Sequence, residues 1–136
     1  MIERLLERLV KELGIVWPLV PTEEGAYVLE FEPDLSVSVS PYLDQSIRLF
    51  CKLAPLPEIN AEEFLHRCMV GNLLGRETGG AALGIDDEEK NLCLSYSLPP
   101  EISYKEFRDA FEDFLNYADA WRREVLVFVE ANGGSG

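Results

Sequence analysis

The sequence contains one histidine, His66, and three cysteines, none of which form a CxxC pair. Zinc sites are built from several His and Cys side chains, so we expect no metal centre of that kind. An odd cysteine count without a disulfide pattern is typical of a reduced, intracellular protein whose thiols pack as small apolar groups. No apolar run approaches the roughly 18 residues of a membrane span. The charged start MIERLLERLV lacks the apolar core of a secretory signal.

Basic residues are also scarce. The 136 residues include 12 Lys and Arg against 25 Asp and Glu, which gives a formal net charge of -13. An acidic surface repels phosphate backbones and anionic lipids, so nucleic acid and membranes are not expected partners. The hydrophobic fraction of 47% is ordinary for a globular chain. We expect a single domain over residues 1–131, followed by a flexible tail or cloning scar over residues 132–136.

The order of predicted elements is α-βββ-α-ββ-α, an α+β fold with helices packed mainly on one side of a twisted antiparallel sheet. Short links between the first three strands require antiparallel pairing, which predicts a meander. Asn60 is the expected N-cap of the second helix, and Ser103-Tyr-Lys-Glu106 is a capping box that opens the last helix. The predicted helices begin at residues 2, 61 and 104, and the predicted strands cover residues 26–32, 35–40, 47–53, 82–85 and 92–98.

The last helix carries a regular apolar seam with spacings of four and three residues. Its members are Phe107, Phe111, Phe114, Ala118, Trp121, Val125 and Phe128. The spacing fits a coiled coil, and it also fits a long helix laid across a sheet. We favour the sheet, because bulky aromatic side chains suit a sheet surface.

Motifs for catalysis are weak. His66 with one of the cysteines would be needed for a thiol dyad, but a histidine in the middle of a helix is more often structural. The segment 75–80 is rich in glycine but lacks the Lys-Ser/Thr of a phosphate loop. The acidic turn 86–89 lacks the calcium-loop pattern. We therefore predict a protein that is not an enzyme and needs no cofactor, with a small enzyme using acidic residues or His66 as the less favoured alternative.

Several apolar side chains lie where a core does not require them. Trp17, Leu19 and Val20 fall in a linker, and Phe50 falls on the polar face of its strand. Apolar surface of this kind indicates binding to a partner or dimerisation.

One segment, Met69-Val-Gly-Asn-Leu-Leu-Gly-Arg-Glu-Thr-Gly-Gly-Ala-Ala-Leu-Gly-Ile-Asp86, is followed by an L-x-L strand at Leu92-Cys-Leu94 and a Leu98-Pro99 step. With the element order, the small size and a pI near 4.4, this pattern resembles the class I type III secretion chaperones, the Tir-chaperone family. The similarity covers residues 1–130. The apolar linker 17–21 and the aromatic last helix depart from the family pattern.

The resemblance implies a bacterial cytoplasmic chaperone that works without ATP. It would bind the N-terminal region of a secreted effector or gatekeeper protein, as a homodimer or as a heterodimer with a sister chaperone. The implied effector groove involves Leu6, Val10, Trp17, Val37 and Phe50. The implied dimer interface involves Phe64, Leu65, Met69 and Leu73, which could equally be ordinary core. A chaperone-like domain with no role in secretion is the alternative.

Overall fold

The computed structural model describes residues 2–14, 19–31, 35–75, 77–86, 88 and 90–133. The helices are α1 (Ile2–Glu12), α2 (Ala61–Asn72) and α3 (Tyr104–Ala131), and 3-10 turns cover Leu43–Gln45 and Leu73–Gly75. The strands are β1 (Tyr27–Phe31), β2 (Leu35–Pro41), β3 (Ile47–Pro55), β4 (Ala82–Ile85) and β5 (Asn91–Leu98). The predicted order α-βββ-α-ββ-α and the α+β class are confirmed.

The described strands form one antiparallel sheet in the order β1-β2-β3-β5-β4. The first three strands are the predicted meander, with Leu29 opposite Val37 and Val37 opposite Cys51. β5 lies between β3 and β4, so β1 and β4 are the two edges of the sheet. A register shift between Lys52 and Ala54 marks a bulge in β3.

The apolar seam of α3 packs across the sheet, mainly on β3. Six of the seven seam residues are at most 2% exposed, and Phe128 is half-buried. Because the seam is covered within a single chain, the helix-on-sheet interpretation is confirmed and no coiled coil is needed. At about 1.5 Å per residue, the 28 residues of α3 extend for about 42 Å.

The two predicted helix caps have different outcomes. Ser103 and Glu106 form the full capping box, with each side chain accepting from the other residue's backbone N–H. Asn60 occupies the predicted N-cap position, and its carbonyl accepts from the N–H of Phe64 at 3.2 Å, but its backbone is left-handed and its side chain makes no cap hydrogen bond. Its amide donates instead to Asn132 Oδ1 at 2.6 Å, and Asn132 also donates to the carbonyl of Phe128. Asn132, the predicted first residue of the tail, thus joins the end of α3 to the start of α2.

Candidate functional site: partner-binding surfaces

The three thiols are buried, and their environment opposes ionisation. Desolvation by burial raises the pKa of Cys51 to about 11 and that of Cys68 to about 11, and it also raises the pKa of Cys93. A nucleophilic cysteine needs a lowered pKa, so these thiols are protonated and unreactive at neutral pH. His66 is exposed on α2, and the described residues include no cluster of His, Cys, Asp or Glu that could hold a metal ion.

Three residues of the predicted effector groove lie in the core. Leu6 and Val37 are 0% exposed and Val10 is 7% exposed. The reason is that α1 packs directly on β2 and fills the space where a groove was expected. In the single chain these side chains offer no surface to a partner, and contact between them and an effector stays a prediction.

Phe50 is not brought to this place. Phe50 is half-buried on the opposite face of the sheet, between Ser38 of β2 and Ser95 of β5. The guanidinium of Arg48 lies 5.4 Å from the centre of its ring. Trp17 lies outside the described residues. Of the four predicted residues that the structure describes, Phe50 therefore lies apart from Leu6, Val10 and Val37.

The outer edge of β1 is open. β1 pairs with β2 on one side, and within the described part of the chain no strand pairs with its other side. Tyr27 and Leu29 point into the core, whereas Val28 is 42% exposed and Glu30 is exposed. In the preceding connector, Val20 is 75% exposed, and Leu19 packs in part against the core. An open strand beside exposed apolar side chains is the geometry that accepts an added strand.

The opposite edge, β4, is closed by a side chain. Asn72 Nδ2 donates to the carbonyl of Leu83 at 2.9 Å, and the N–H of Leu83 donates to Asn72 Oδ1 at 2.7 Å. The amide of Asn72 thus satisfies the N–H and the C=O of Leu83, which a neighbouring strand would otherwise bind. The two edges of the sheet differ in what they can bind, and this difference was not predicted.

A second exposed surface lies on α2 and the neighbouring strand β4. We call Met69, Val70, Leu73 and Ile85 the α2 patch, and their exposed fractions are 72%, 47%, 55% and 45%. Two predicted dimer residues, Met69 and Leu73, belong to it. Leu65 is half-buried, and Phe64 is core, with its ring 5.1 Å from that of Phe128. Sequence reasoning missed Val70 on α2 and Ile85 on β4. For Val70 a signal was present, because α2 carries apolar residues on two faces and only one of them can face the core.

Contacts with α3 hold α2 firmly in position. Arg67 donates two 3.0 Å hydrogen bonds to Glu77, and these bonds raise the pKa of Arg67. Its guanidinium also lies 4.9 Å from the centre of the Trp121 ring. Trp121 Nε1 donates to the carbonyl of Glu77 at 2.8 Å. Gly71 lies directly against the same ring. The α2 patch is therefore presented on a rigid helix, which lowers the entropy cost of binding.

The fold, the unreactive thiols and the two exposed surfaces define a small α+β protein of the kind that binds other proteins. Among the described residues, no helix combines the length and the apolar character needed to cross a membrane. The chain matches the model of the Tir chaperone protein (CesT) family over residues 4–122, and it belongs to that family of chaperones. The resemblance inferred from the sequence is confirmed.

Individual relatives agree with this assignment. A Chlamydia pneumoniae protein, CPj0713/CpB0740, is 33% identical over 126 residues, which are 92% of this chain and 96% of the relative. A chain of the ExsC–ExsE complex has a TM-score of 0.73 at 17% identity and covers 91% of this chain and 92% of its own length. A chain from the structure of the Yersinia pestis type III secretion chaperone SycH with a fragment of YscM2 has a TM-score of 0.65 at 18% identity, covering 86% and 96%. At these identities the solved structures show the shared fold.

Proposed function

We propose that this protein is a type III secretion chaperone of the bacterial cytoplasm. It binds the N-terminal region of a secreted effector without ATP or a cofactor and keeps that region soluble and competent for secretion. Membership of the Tir chaperone family supports this role. We also infer that residues 1–131 act as one domain and that no enzymatic step is involved.

The open edge of β1 is the observation that carries client binding. An unfolded segment can pair its backbone with β1 and so satisfy hydrogen bonds that it would lack in a collapsed state. Val28 on β1 and Val20 in the connector before it are exposed and offer apolar contact to a client. Complexes among the structural neighbours support the idea, since the related chains were solved as ExsC–ExsE, as SycH with a YscM2 fragment and as the heterodimeric ExoU–SpcU complex of Pseudomonas aeruginosa.

The α2 patch supports dimerisation. Its four large side chains are at least 45% exposed in a chain whose own core is complete. A contiguous exposed apolar patch is unfavourable in a monomer and is typical of an interface between subunits. We propose that this patch, with Met69 and Leu73 at its centre, joins two copies of the chain or one copy and a sister chaperone.

The net charge of -13 has a role in this proposal. Like charges keep the chaperone soluble while it holds an aggregation-prone client. The same charge disfavours nucleic acid and anionic lipid as alternative partners.

Co-expression with a candidate effector tests the proposed function. We expect a stable complex to purify in the absence of nucleotide, and we expect an effector without its N-terminal segment to be lost from it. Equal recovery of the full and truncated effectors would contradict the proposal.

The substitution Val28→Lys tests the β1 edge directly. A lysine on an edge strand opposes pairing with another strand, so effector recovery should fall while the fold is retained. Val127→Lys is the matched control, because Val127 is also an exposed valine (64%) but lies near the end of α3. Loss of effector from both variants, or from neither, would remove β1 as the client site.

The substitution Met69→Asp tests the α2 patch. Size-exclusion chromatography with light scattering should change from about 31 kDa, twice the 15.4 kDa chain, to the monomer mass. Val127→Asp serves as the control and should keep the dimer mass. A dimer that survives Met69→Asp would show that the subunits meet elsewhere.

A further inference from the structure

A positively charged cleft lies between the C-terminal end of α1 and the N-terminal end of α3. Its volume is about 570 Å³, and Arg8, Lys11, Lys105 and Arg108 line it. Four of the twelve basic residues in a chain with net charge -13 therefore meet at one place.

Among the described residues, three of these four cations form no salt bridge. Arg108 is neutralised by Glu12 at 3.1 Å and by Asp109 at 3.4 Å. Arg8, Lys11 and Lys105 are exposed, and across the ranges that the structure describes they take part in no salt bridge. The cleft thus keeps an excess of positive charge next to solvent.

Two features show that the cleft is organised. The guanidinium of Arg8 lies 4.2 Å from the centre of the Tyr104 ring, and the hydroxyl of Tyr104 donates to Glu12. This cation–π contact keeps the guanidinium of Arg8 at the Tyr104 ring, where its planar donors can bind an oxygen ligand. Lys105 lies in the first turn of α3, where the helix dipole disfavours a cation. A bound anion would offset that local cost.

We propose that this cleft binds a short acidic segment of a partner protein through its carboxylates. The fork of Arg8 matches a carboxylate, and Lys11 and Lys105 supply further charge for neighbouring side chains. A broad polyanion is disfavoured, because the rest of the surface carries the large negative charge and repels a bilayer or a nucleic acid. A narrow segment can reach the cleft without approaching that surface. The site is separate from the β1 edge and the α2 patch.

Fluorescence anisotropy with a labelled eight-residue peptide of alternating Glu and Gly tests the proposal, with the Gln-Gly peptide as the neutral probe. We expect saturable binding of the acidic peptide to the full chain, weakening as salt rises, and no binding of the neutral one. The double variant Lys11→Gln/Lys105→Gln should weaken binding by about three- to ten-fold, as expected for two exposed charge pairs. Lys90→Gln, an exposed lysine in the β4–β5 turn, is the matched control and should bind like the parent protein.

The fold of the double variant is checked by its melting temperature, which should stay close to that of the parent. Loss of Lys105 removes an unfavourable interaction with the dipole of α3, and loss of Lys11 removes a favourable one with the dipole of α1. In the anisotropy measurement, four results would overturn the proposal: no saturable binding, equal binding of the neutral peptide, an equal loss in Lys90→Gln, or displacement by inorganic phosphate where chloride of the same ionic strength has no effect. Sedimentation of the protein with phosphatidylserine vesicles would overturn it in favour of a lipid surface. No client is present in these measurements, so their failure leaves the proposed chaperone function untouched.

Discussion

Replacing Gly71 by alanine measures how closely α2 is seated against α3. A Cβ built on Gly71 would lie 2.5 Å from Cζ2 and 2.7 Å from Cη2 of Trp121, whereas ordinary contacts begin at 3.4 Å. The indole ring must therefore retreat by roughly 1 Å in an interior packed like an organic crystal. The Trp121 side chain is 2% exposed, hydrogen-bonded to the carbonyl of Glu77 and stacked on Arg67, so a retreat disturbs both contacts.

Two effects of this substitution have opposite signs. Alanine in place of glycine favours a helix by about 1 kcal/mol. Overpacking costs about 1–3 kcal/mol, and weakening the Trp121 hydrogen bond and cation–π contact adds about 1 kcal/mol. The cost is larger, so we expect a net loss of about 1–3 kcal/mol in the free energy of unfolding. For a chain of 136 residues, this corresponds to a fall of about 4–10 °C in melting temperature.

Urea and thermal denaturation followed by circular dichroism, at a fixed protein concentration, measure this loss. Gly84→Ala is the matched control, because a Cβ at Gly84 meets nothing within 4 Å and its backbone is not left-handed. That variant should stay within about 0.5 kcal/mol of the parent. If Gly71→Ala melts at the parent temperature or above, the close packing of α2 on Trp121 described above is incorrect.

Three further predictions concern the core, the β4 edge and the thiols. Leu6→Asp buries a carboxylate at a fully covered position and should cost more than about 4 kcal/mol in the free energy of unfolding. Circular dichroism should therefore show an unfolded protein, and a folded variant would mean that α1 lifts from the sheet. Asn72→Leu removes both hydrogen bonds to Leu83 and should cost about 1–3 kcal/mol, with faster amide exchange at Leu83; unchanged protection would contradict the edge-closing role. Burial raises the pKa of Cys51 from 9.0 to about 11, so the folded state keeps a proton that the unfolded state releases. This contribution to stability is complete below pH 9 and is lost as the pH rises from 9 to 11; the urea midpoint should fall across that window, and by less in Cys51→Ala.

The sequence predicted the elements because their signals are local. Alternation in Leu35–Ser40 and in Ile47–Leu53 placed the correct side chains in the core, and the box Ser103–Glu106 located the start of α3 to the residue. Asn60 takes the predicted N-cap position, but its side chain binds Asn132, 72 residues away in the chain, and no local pattern indicates that bond. The position of β5 between β3 and β4 likewise depends on long-range pairing that no local pattern encodes.

The candidate site was harder to predict, because periodicity identifies the face of an element and not what covers that face. Leu6 lies on the apolar face of α1, and Val37 lies on the apolar face of β2. Because α1 packs on β2, the two faces cover each other and both residues belong to the core. Met69 and Leu73 were found because they continue an apolar pattern on α2. No sequence pattern indicated that Asn72 binds the backbone of β4. That contact forms only because the Gly-rich link after α2 returns the chain so that Leu83 lies beside Asn72.

The unequal sheet edges have a consequence for symmetry. A head-to-tail fibre would require the β1 edge of one copy to pair with the β4 edge of the next, and Asn72 already occupies the β4 edge at Leu83. The remaining pairing between copies, β1 with β1, is two-fold and closes on itself. One amide side chain therefore blocks the head-to-tail route to a fibre at Leu83, while the β1 strand stays available for pairing.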